Sequence, residues 1–181
     1  HPTVKLAFQP GTYQMKLGVE KLRDIYARTE LFFCNKEEAQ RILNTEEEDI
    51  KKLLSGMRGL GPKMVVITDG PKGAYADDGS TSLTTGVSTS LTTSGSSQFF
   101  MPPYPDPKPP YERTGAGDAF SSALTAAIIL GLPIVEALRW APVNSMSVVQ
   151  YVGAREGLLT REKIEEYLKK APSDYAPKSL S

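Results

Sequence analysis

A short apolar run in the middle of the chain is the strongest constraint on the fold. Met64–Thr68 is rich in β-branched residues and lies between Gly61-Pro62 and Asp69-Gly70, so it predicts a buried strand bounded by turns. Two further short apolar runs, Val4–Phe8 and Leu31–Cys34, precede it, with helical patterns between them. Strands that alternate with helices predict βαβ crossovers and a sheet of mostly parallel strands.

The sequence predicts six helices, three before the strand Met64–Thr68 and three after it. The predicted helices are Lys16–Arg28, Lys36–Leu43, Glu47–Met57, Ala116–Leu130, Pro133–Val152 and Thr160–Lys170. Two strands, Gly73–Ala76 and Gln98–Met101, are predicted on either side of a Ser/Thr/Gly stretch. In that stretch Thr81–Ser88 is nearly repeated by Thr89–Ser96. The alternation in the repeat could extend a hairpin, but a flexible surface loop without a chemical role is the favoured interpretation.

The composition excludes several kinds of site. The 181 residues include 21 Lys+Arg and 21 Asp+Glu, and this zero net charge provides no basic surface for nucleic acid or an anionic membrane. A single cysteine, Cys34, and a single histidine, His1, allow neither a disulfide within the chain nor a Cys/His metal cluster. The apolar runs are too short to span a bilayer, and no signal segment opens the chain, so we expect a cytoplasmic protein.

The segment from Glu112 to Leu124 carries the clearest chemical signal. A Pro-rich segment, Pro102–Pro110, precedes Gly115 and Gly117 and forms the approach to them. The acidic residue Asp118 follows at once, and a helix of small residues begins there. Glycines allow the backbone to approach a ligand closely. The first turn of a helix leaves N–H groups unpaired at the positive end of the helix dipole. The segment therefore predicts a phosphate site with Asp118 beside it.

A carboxylate at this position would repel a phosphate, so Asp118 requires an explanation. Its position makes sense if the carboxylate accepts a proton from a hydroxyl that attacks the phosphoryl group. The alternative is an ordinary turn in which Asp118 caps the helix, and a Gly-x-Gly-Asp pattern alone would favour it. With its flanking residues, the segment favours the functional interpretation.

Thr114–Phe120 (Thr-Gly-Ala-Gly-Asp-Ala-Phe) closely resembles the second signature of the PfkB/ribokinase family of carbohydrate and nucleoside kinases. The resemblance implies a ribokinase-like, Rossmann-like three-layer α/β fold. It also implies that Asp118 is the catalytic base and that the amides of Gly115, Ala116 and Gly117 form an anion hole for the transferred phosphate. ATP and Mg²⁺ are the implied cofactors, and the implied substrate is a small-molecule alcohol such as a sugar, a sugar acid or a nucleoside.

A weaker motif, Asn35-Lys-Glu-Glu38, follows the predicted strand Leu31–Cys34. It resembles the family's Asn-x-x-Glu element, which implies that Asn35 takes part in cofactor binding and that Glu38 helps to organise Mg²⁺. Asn at a helix N-cap with Glu three residues later is also a capping box. Both interpretations can hold together, because a helix N-terminus suits phosphate and a carboxylate suits Mg²⁺.

A second weak motif is the turn from Thr68 to Gly73 (Thr-Asp-Gly-Pro-Lys-Gly). It resembles the family's nucleotide-binding turn, which implies that Thr68, Gly70 and Gly73 contact the nucleotide. The carboxyl edge of a parallel sheet is where folds of this class bind ligands. An ordinary hairpin turn is the alternative.

Two further positions depart from the family's pattern. Glu112 stands where the family usually has Asp, which contributes to a monovalent-cation site, so a cation site at Glu112 is one possibility. The helix from Trp140 to Val152 resembles the segment that covers the adenine. This sequence has Pro142 where the family often has a polar residue, and Asn144 is therefore the candidate for the adenine contact.

The resemblance extends from the Gln9-Pro10-Gly11 turn to the terminal helix but includes nothing of the family's N-terminal half. We therefore expect residues 1–171 to be the C-terminal part of a ribokinase-like kinase domain, and residues 172–181 to be a flexible tail. An exposed sheet edge and apolar face would follow, covered either by the missing N-terminal half or by a homo-oligomer. The alternative function is a non-catalytic nucleotide-binding half that needs a partner.

Overall fold

The computed structural model describes residue 1 and residues 3–79 and 98–180. The repeat Thr81–Ser96, predicted to be a surface loop, lies outside the described residues. Six strands in the described part form one sheet in the order β1-β2-β3-β4-β5-β6. They are β1 (Leu6–Phe8), β2 (Thr29–Asn35), β3 (Met64–Thr68), β4 (Ala74–Asp77), β5 (Gln98–Met101) and β6 (Lys178–Ser179).

The sheet is mixed. β1, β2 and β3 are parallel, whereas β4, β5 and β6 each run antiparallel to the preceding strand. The mostly parallel sheet expected from the sequence is thus limited to the first three strands. The connection between β3 and β4 is only residues 69–73, and a parallel crossover needs a dozen residues or more, so β4 has to return antiparallel.

Seven α-helices and one 3₁₀ turn accompany the sheet in the described residues. They are α1 (Thr12–Leu17), α2 (Val19–Arg28), α3 (Lys36–Leu43), α4 (Ile50–Gly59), the 3₁₀ turn (Gly70–Lys72), α5 (Ala116–Ile129), α6 (Ile134–Val148) and α7 (Arg161–Lys169). The helix predicted over Lys16–Arg28 is interrupted at Gly18, whose φ of 81° is left-handed and favours glycine. None of the described helices is long and apolar enough to cross a membrane.

The side chains of β2 alternate between two hydrophobic cores, one on each face of the sheet, and each core contains a different set of helices. Leu31 and Phe33 belong to the core packed against α5, α6 and α7. Phe32 and Cys34 belong to the core packed against α2, α3 and α4. Successive side chains of a strand point to opposite faces, so one apolar strand serves both cores. The three-layer α/β fold is therefore confirmed.

One side of the domain has an open edge. In the described part of the chain β1 pairs with β2 alone. On α5, the uncharged residues Ser122, Ala126 and Ile129 are exposed, and Ile129 is 79% accessible. A run of exposed uncharged side chains and an unpaired strand edge are both surfaces that a further element of structure can cover.

Residues 172–180 pack against the domain, whereas the sequence predicted a flexible tail over 172–181. Tyr175 is buried, its hydroxyl donates to the Arg139 carbonyl at 2.7 Å, and its ring packs edge-on against Tyr104 at 5.0 Å. β6 then adds to β5. A Pro/Ser-rich composition indicates irregular backbone, but one buried aromatic is enough to fix the segment.

Candidate active site

A cavity of about 310 Å³ lies at the carboxyl end of β3, against the first turn of α5. Four segments enclose it: the turn after β3, the Pro-rich approach to α5, the start of α5, and the middle of α6. The predicted site residues in its wall are Thr68, Gly70, Gly73, Ala116 and Gly117. The structure therefore brings the predicted nucleotide-binding turn and two of the predicted anion-hole residues to one cavity.

The turn after β3 is tightly folded. The Asp69 amide donates to the Gly73 carbonyl at 2.8 Å, and the Lys72 amide donates to the Asp69 carbonyl at 3.0 Å. Gly73 has φ 109°, and a Cβ there would lie 2.5 Å from the Met101 carbonyl oxygen, so a larger residue cannot occupy this position. Gly70, in contrast, faces open space.

The start of α5 is held by the segment that follows α6. The Glu112 carboxylate accepts a hydrogen bond from the Gly153 amide at 2.6 Å, and Gly115, with φ 79°, packs against Ala154. Neither Glu112 nor Gly115 is among the described residues that line the cavity. The amide of Gly117 lies in the first helical turn and has no acceptor within the helix, so it is available to an anion. The cation site at Glu112 stays a prediction.

Asp118 is exposed in the first turn of α5. Its Oδ1 accepts a hydrogen bond from Gln9 Nε2 at 3.0 Å. Gln9 directly follows β1 and lies 109 positions earlier in the chain. No role for Gln9 could be predicted from the sequence, because nothing in a Gln-Pro-Gly turn indicates which distant side chain it will contact.

Asn35 and Glu38 form a complete capping box at the start of α3. Asn35 Oδ1 accepts from the Glu38 amide at 2.8 Å, and Glu38 Oε2 accepts from the Asn35 amide at 2.9 Å. Asn35 is also the register partner of Thr68, so the two residues end neighbouring parallel strands at the cavity edge of the sheet. The capping interpretation is confirmed, and the role of Asn35 in cofactor binding stays a prediction.

No group of three or more His, Cys, Asp or Glu side chains forms a metal site within residues 3–79 and 98–180. This arrangement is compatible with Mg²⁺ in phosphoryl transfer, because such ions are usually bound by one or two carboxylates together with substrate phosphates and water. Glu38 retains one carboxylate oxygen outside the capping box and stays the predicted ligand.

Asn144 forms hydrogen bonds within the protein. It is buried, its Nδ2 donates to the Ala119 carbonyl at 2.9 Å, and its Oδ1 accepts from the Leu159 amide at 2.9 Å. It thus joins α6 to α5 and to the approach to α7. The cavity wall includes Pro142 and Ser145 but not Asn144. The Asn144 side chain thus hydrogen-bonds to α5 and to the segment before α7, and its contact with adenine stays a prediction.

Two charged residues of the cavity wall had not been predicted as site residues. Asp106 and Arg113 lie on the Pro-rich approach to α5. Loss of hydration raises the pKa of the Asp106 carboxyl, and the Arg113 guanidinium opposes that shift. Arg113 adds a positive charge to the wall that contains Gly117. Its position two residues before Gly115 is the sequence feature that could have indicated a role in the site.

Comparison with known proteins identifies the family. Residues 10–161 match the pfkB family of carbohydrate kinases. The chain belongs to the pfkB family. This pfkB chain is 35% identical over 132 residues to a cytidine kinase of Thermococcus kodakarensis, a match that covers 73% of the chain and 41% of the relative. It is also 40% identical over 75 residues to the ribokinase of Bacillus subtilis, covering 41% of the chain and 25% of that protein.

Solved structures share the fold of the pfkB chain. The Arabidopsis thaliana ribokinase complexed with ribose and ATP has a TM-score of 0.72 at 23% identity, over 92% of this chain and 48% of the other. The Burkholderia thailandensis nucleoside kinase in complex with inosine has a TM-score of 0.70 at 20% identity, over 93% and 48%. The pfkB chain spans less than half the length of these four relatives.

Proposed function

We propose that this chain is the nucleotide-handling and catalytic part of an ATP-dependent phosphotransferase that phosphorylates a hydroxyl of a sugar, a sugar acid or a nucleoside. One observation carries the proposal: the turn after β3 and the first turn of α5, which bears Asp118, meet at one cavity. The names of the relatives, a cytidine kinase and a ribokinase, support the substrate class.

The cavity has the features that a nucleoside triphosphate requires. Its volume of about 310 Å³ lies within the range of small-molecule sites, and Pro71, Phe120 and Met146 provide apolar surface for a base. Arg113 and the Gly117 amide provide positive charge and a hydrogen-bond donor for phosphate oxygens. Bound Mg²⁺, held mainly by the phosphates with help from Glu38, would supply further neutralisation of their charge.

The proposed reaction uses Asp118 as a general base. Its carboxylate accepts the proton of the acceptor hydroxyl while the hydroxyl oxygen forms a bond to the γ-phosphorus. The bond between that phosphorus and the β–γ bridging oxygen breaks, and ADP leaves with the electron pair. Amides at the start of α5 stabilise the charge on the transferred group, so that catalysis consists largely of positioning and electrostatic stabilisation.

A non-catalytic nucleotide-binding half is the second candidate. It is supported by the observation that the chain spans less than half the length of its relatives. Such a half would bind ATP in the same cavity but would lack groups that hold the acceptor. Turnover therefore distinguishes the two candidates, whereas ATP binding does not.

The test is ADP release from Mg·ATP with a pooled set of sugars, sugar acids and nucleosides. We expect acceptor-dependent release that falls at least about 100-fold in Asp118→Asn, because a general base typically contributes 10²–10⁴-fold. Asp24→Asn is the matched control, since Asp24 is fully exposed on α2. ATP binding without ADP release in the parent would favour the non-catalytic candidate. Equal release by the parent and Asp118→Asn would reject Asp118 as the base.

A further inference from the structure

We propose that Gln9 is a positioning residue for Asp118, an inference that rests on the proposed function. Gln9 Nε2 lies 3.0 Å from Asp118 Oδ1. An ionised carboxylate can only accept hydrogen bonds, so the amide nitrogen of Gln9, and not its oxygen, has to face it. A Cβ placed on Gly117 would lie 3.9 Å from the same nitrogen, which puts the Gln9 amide over the first turn of α5.

The hydrogen bond gives the two carboxylate oxygens different tasks. Among the described residues, Gln9 is the one side chain that donates to this carboxylate, and it does so at Oδ1. Oδ2 is then the oxygen that accepts the proton of the acceptor hydroxyl. By holding Oδ1, Gln9 limits rotation of the carboxylate, and fixed orientation of a base is a large part of its effectiveness.

The backbone that carries Gln9 is well fixed. β1 ends at Phe8, immediately before it, and pairs with β2. Pro10 follows, is buried and has its φ set by its ring, while the Gly11 amide donates to Gln14 Oε1 at 3.2 Å. Gln9 therefore extends from an anchored turn, and its amide is suited to hold a second group in place.

The pair also connects distant parts of the chain. Residues that line the cavity come from the segment between Thr68 and Val149, whereas Gln9 follows the first strand. Because Gln9 lies outside the cavity wall, its replacement should change the chemical step and leave ATP affinity unchanged. A general loss of packing would change both.

The experiment measures kcat and the KM for ATP of the 181-residue chain with Mg·ATP and the acceptor pool. Gln9→Met keeps the length of the side chain but removes the hydrogen-bond donor, without adding a charge beside the proposed phosphate site. We expect kcat to fall about 10- to 100-fold, which is the scale of a misplaced catalytic group, with KM for ATP within about twofold of the parent. Thr12→Ala, exposed at the start of α1 and without a side-chain hydrogen bond among the described residues, is the matched control and should change kcat less than about twofold.

A double-mutant comparison separates positioning from structural damage. If Gln9 acts through Asp118, Gln9→Met should cause no further loss in the Asp118→Asn chain, whereas damage to the turn would lower both backgrounds equally. An active parent whose kcat is unaffected by Gln9→Met would overturn this inference alone, as would equal losses in both backgrounds or in Thr12→Ala. A parent without acceptor-dependent ADP release would overturn the proposed function and this inference with it.

Discussion

Gly115 and Ala154 touch where α5 begins: a Cβ on Gly115 would lie 2.6 Å from the Cβ of Ala154. Gly115 also has φ 79°, a backbone conformation that residues other than glycine rarely adopt. Two separate restrictions therefore act on the residue that precedes the first turn of α5. They link the proposed anion site to the segment after α6.

We expect Gly115→Ala to lower both stability and ATP affinity. Gly131 provides a matched control at the other end of the same helix, because its φ is 84° but nothing lies within 4 Å of a Cβ there. Gly131→Ala should cost about 1–2 kcal/mol of unfolding free energy, from the left-handed conformation alone. Gly115→Ala should cost about 1–3 kcal/mol more, from the clash. Urea unfolding of both variants measures the difference, and equal costs would contradict the packing against Ala154.

Asn144→Ala should lower stability more than nucleotide affinity. The substitution leaves the Leu159 amide without its acceptor, and we expect a cost of about 2 kcal/mol in the free energy of unfolding. Ser122→Ala is the control, because Ser122 is exposed and donates to the same Ala119 carbonyl at 3.1 Å, so its loss should cost under about 0.5 kcal/mol. A large loss of ATP affinity in Asn144→Ala with unchanged stability would instead show that Asn144 contacts the nucleotide.

Tyr175 should make the free energy of unfolding fall as the pH rises in the alkaline range. Burial raises the pKa of its hydroxyl above the ordinary value of about 10. The folded state thus favours the protonated form. This contribution is fully present below about pH 10 and is lost as pH rises further. Urea unfolding between pH 8 and 11 should show a steeper decline for the parent than for Tyr175→Phe.

The same substitution removes the hydrogen bond to the Arg139 carbonyl, and at neutral pH Tyr175→Phe should cost about 1 kcal/mol. Tyr175→Ala should cost about 3–5 kcal/mol, as expected for a buried aromatic. If both variants were as stable as the parent at every pH, residues 172–180 would not be packed against the domain in solution.

Cys34 provides a single-site probe of unfolding. Burial, with a smaller contribution from the Glu38 carboxylate, raises the pKa of its thiol above the ordinary value. Because the thiolate is the reactive form, we expect no labelling by a thiol reagent at pH 8 in the native protein and complete labelling in denaturant. The chain has one cysteine, so labelling reports this position alone. Rapid labelling without denaturant would show that the core around β2 opens readily.

The local features of the fold could be predicted because short segments determine them. The strand Met64–Thr68 has the predicted bounds, and the capping box at Asn35 and Glu38 follows from two residues three positions apart. The hydrogen bond of Gln9 with Asp118 could not be predicted, because its residues meet only once the sheet and α5 are assembled. The packing of Tyr175 escaped prediction for the same reason, since an isolated aromatic in a Pro/Ser-rich segment does not indicate which core it joins.

The β4–β5 pair has its two ends in different surroundings. Ala74 and Met101 are partners beside the cavity, whereas Asp77 and Gln98 are partners at the other end, about 10 Å along the strands. A hydrogen bond of 3.0 Å between the Asp77 and Gln98 side chains joins the two strands there. In the sequence, the tandem eight-residue units at positions 81–96 fall between Asp77 and Gln98. An insertion or deletion between positions 77 and 98 would therefore enter the chain at the end of the β4–β5 pair that is farther from Ala74 and the cavity.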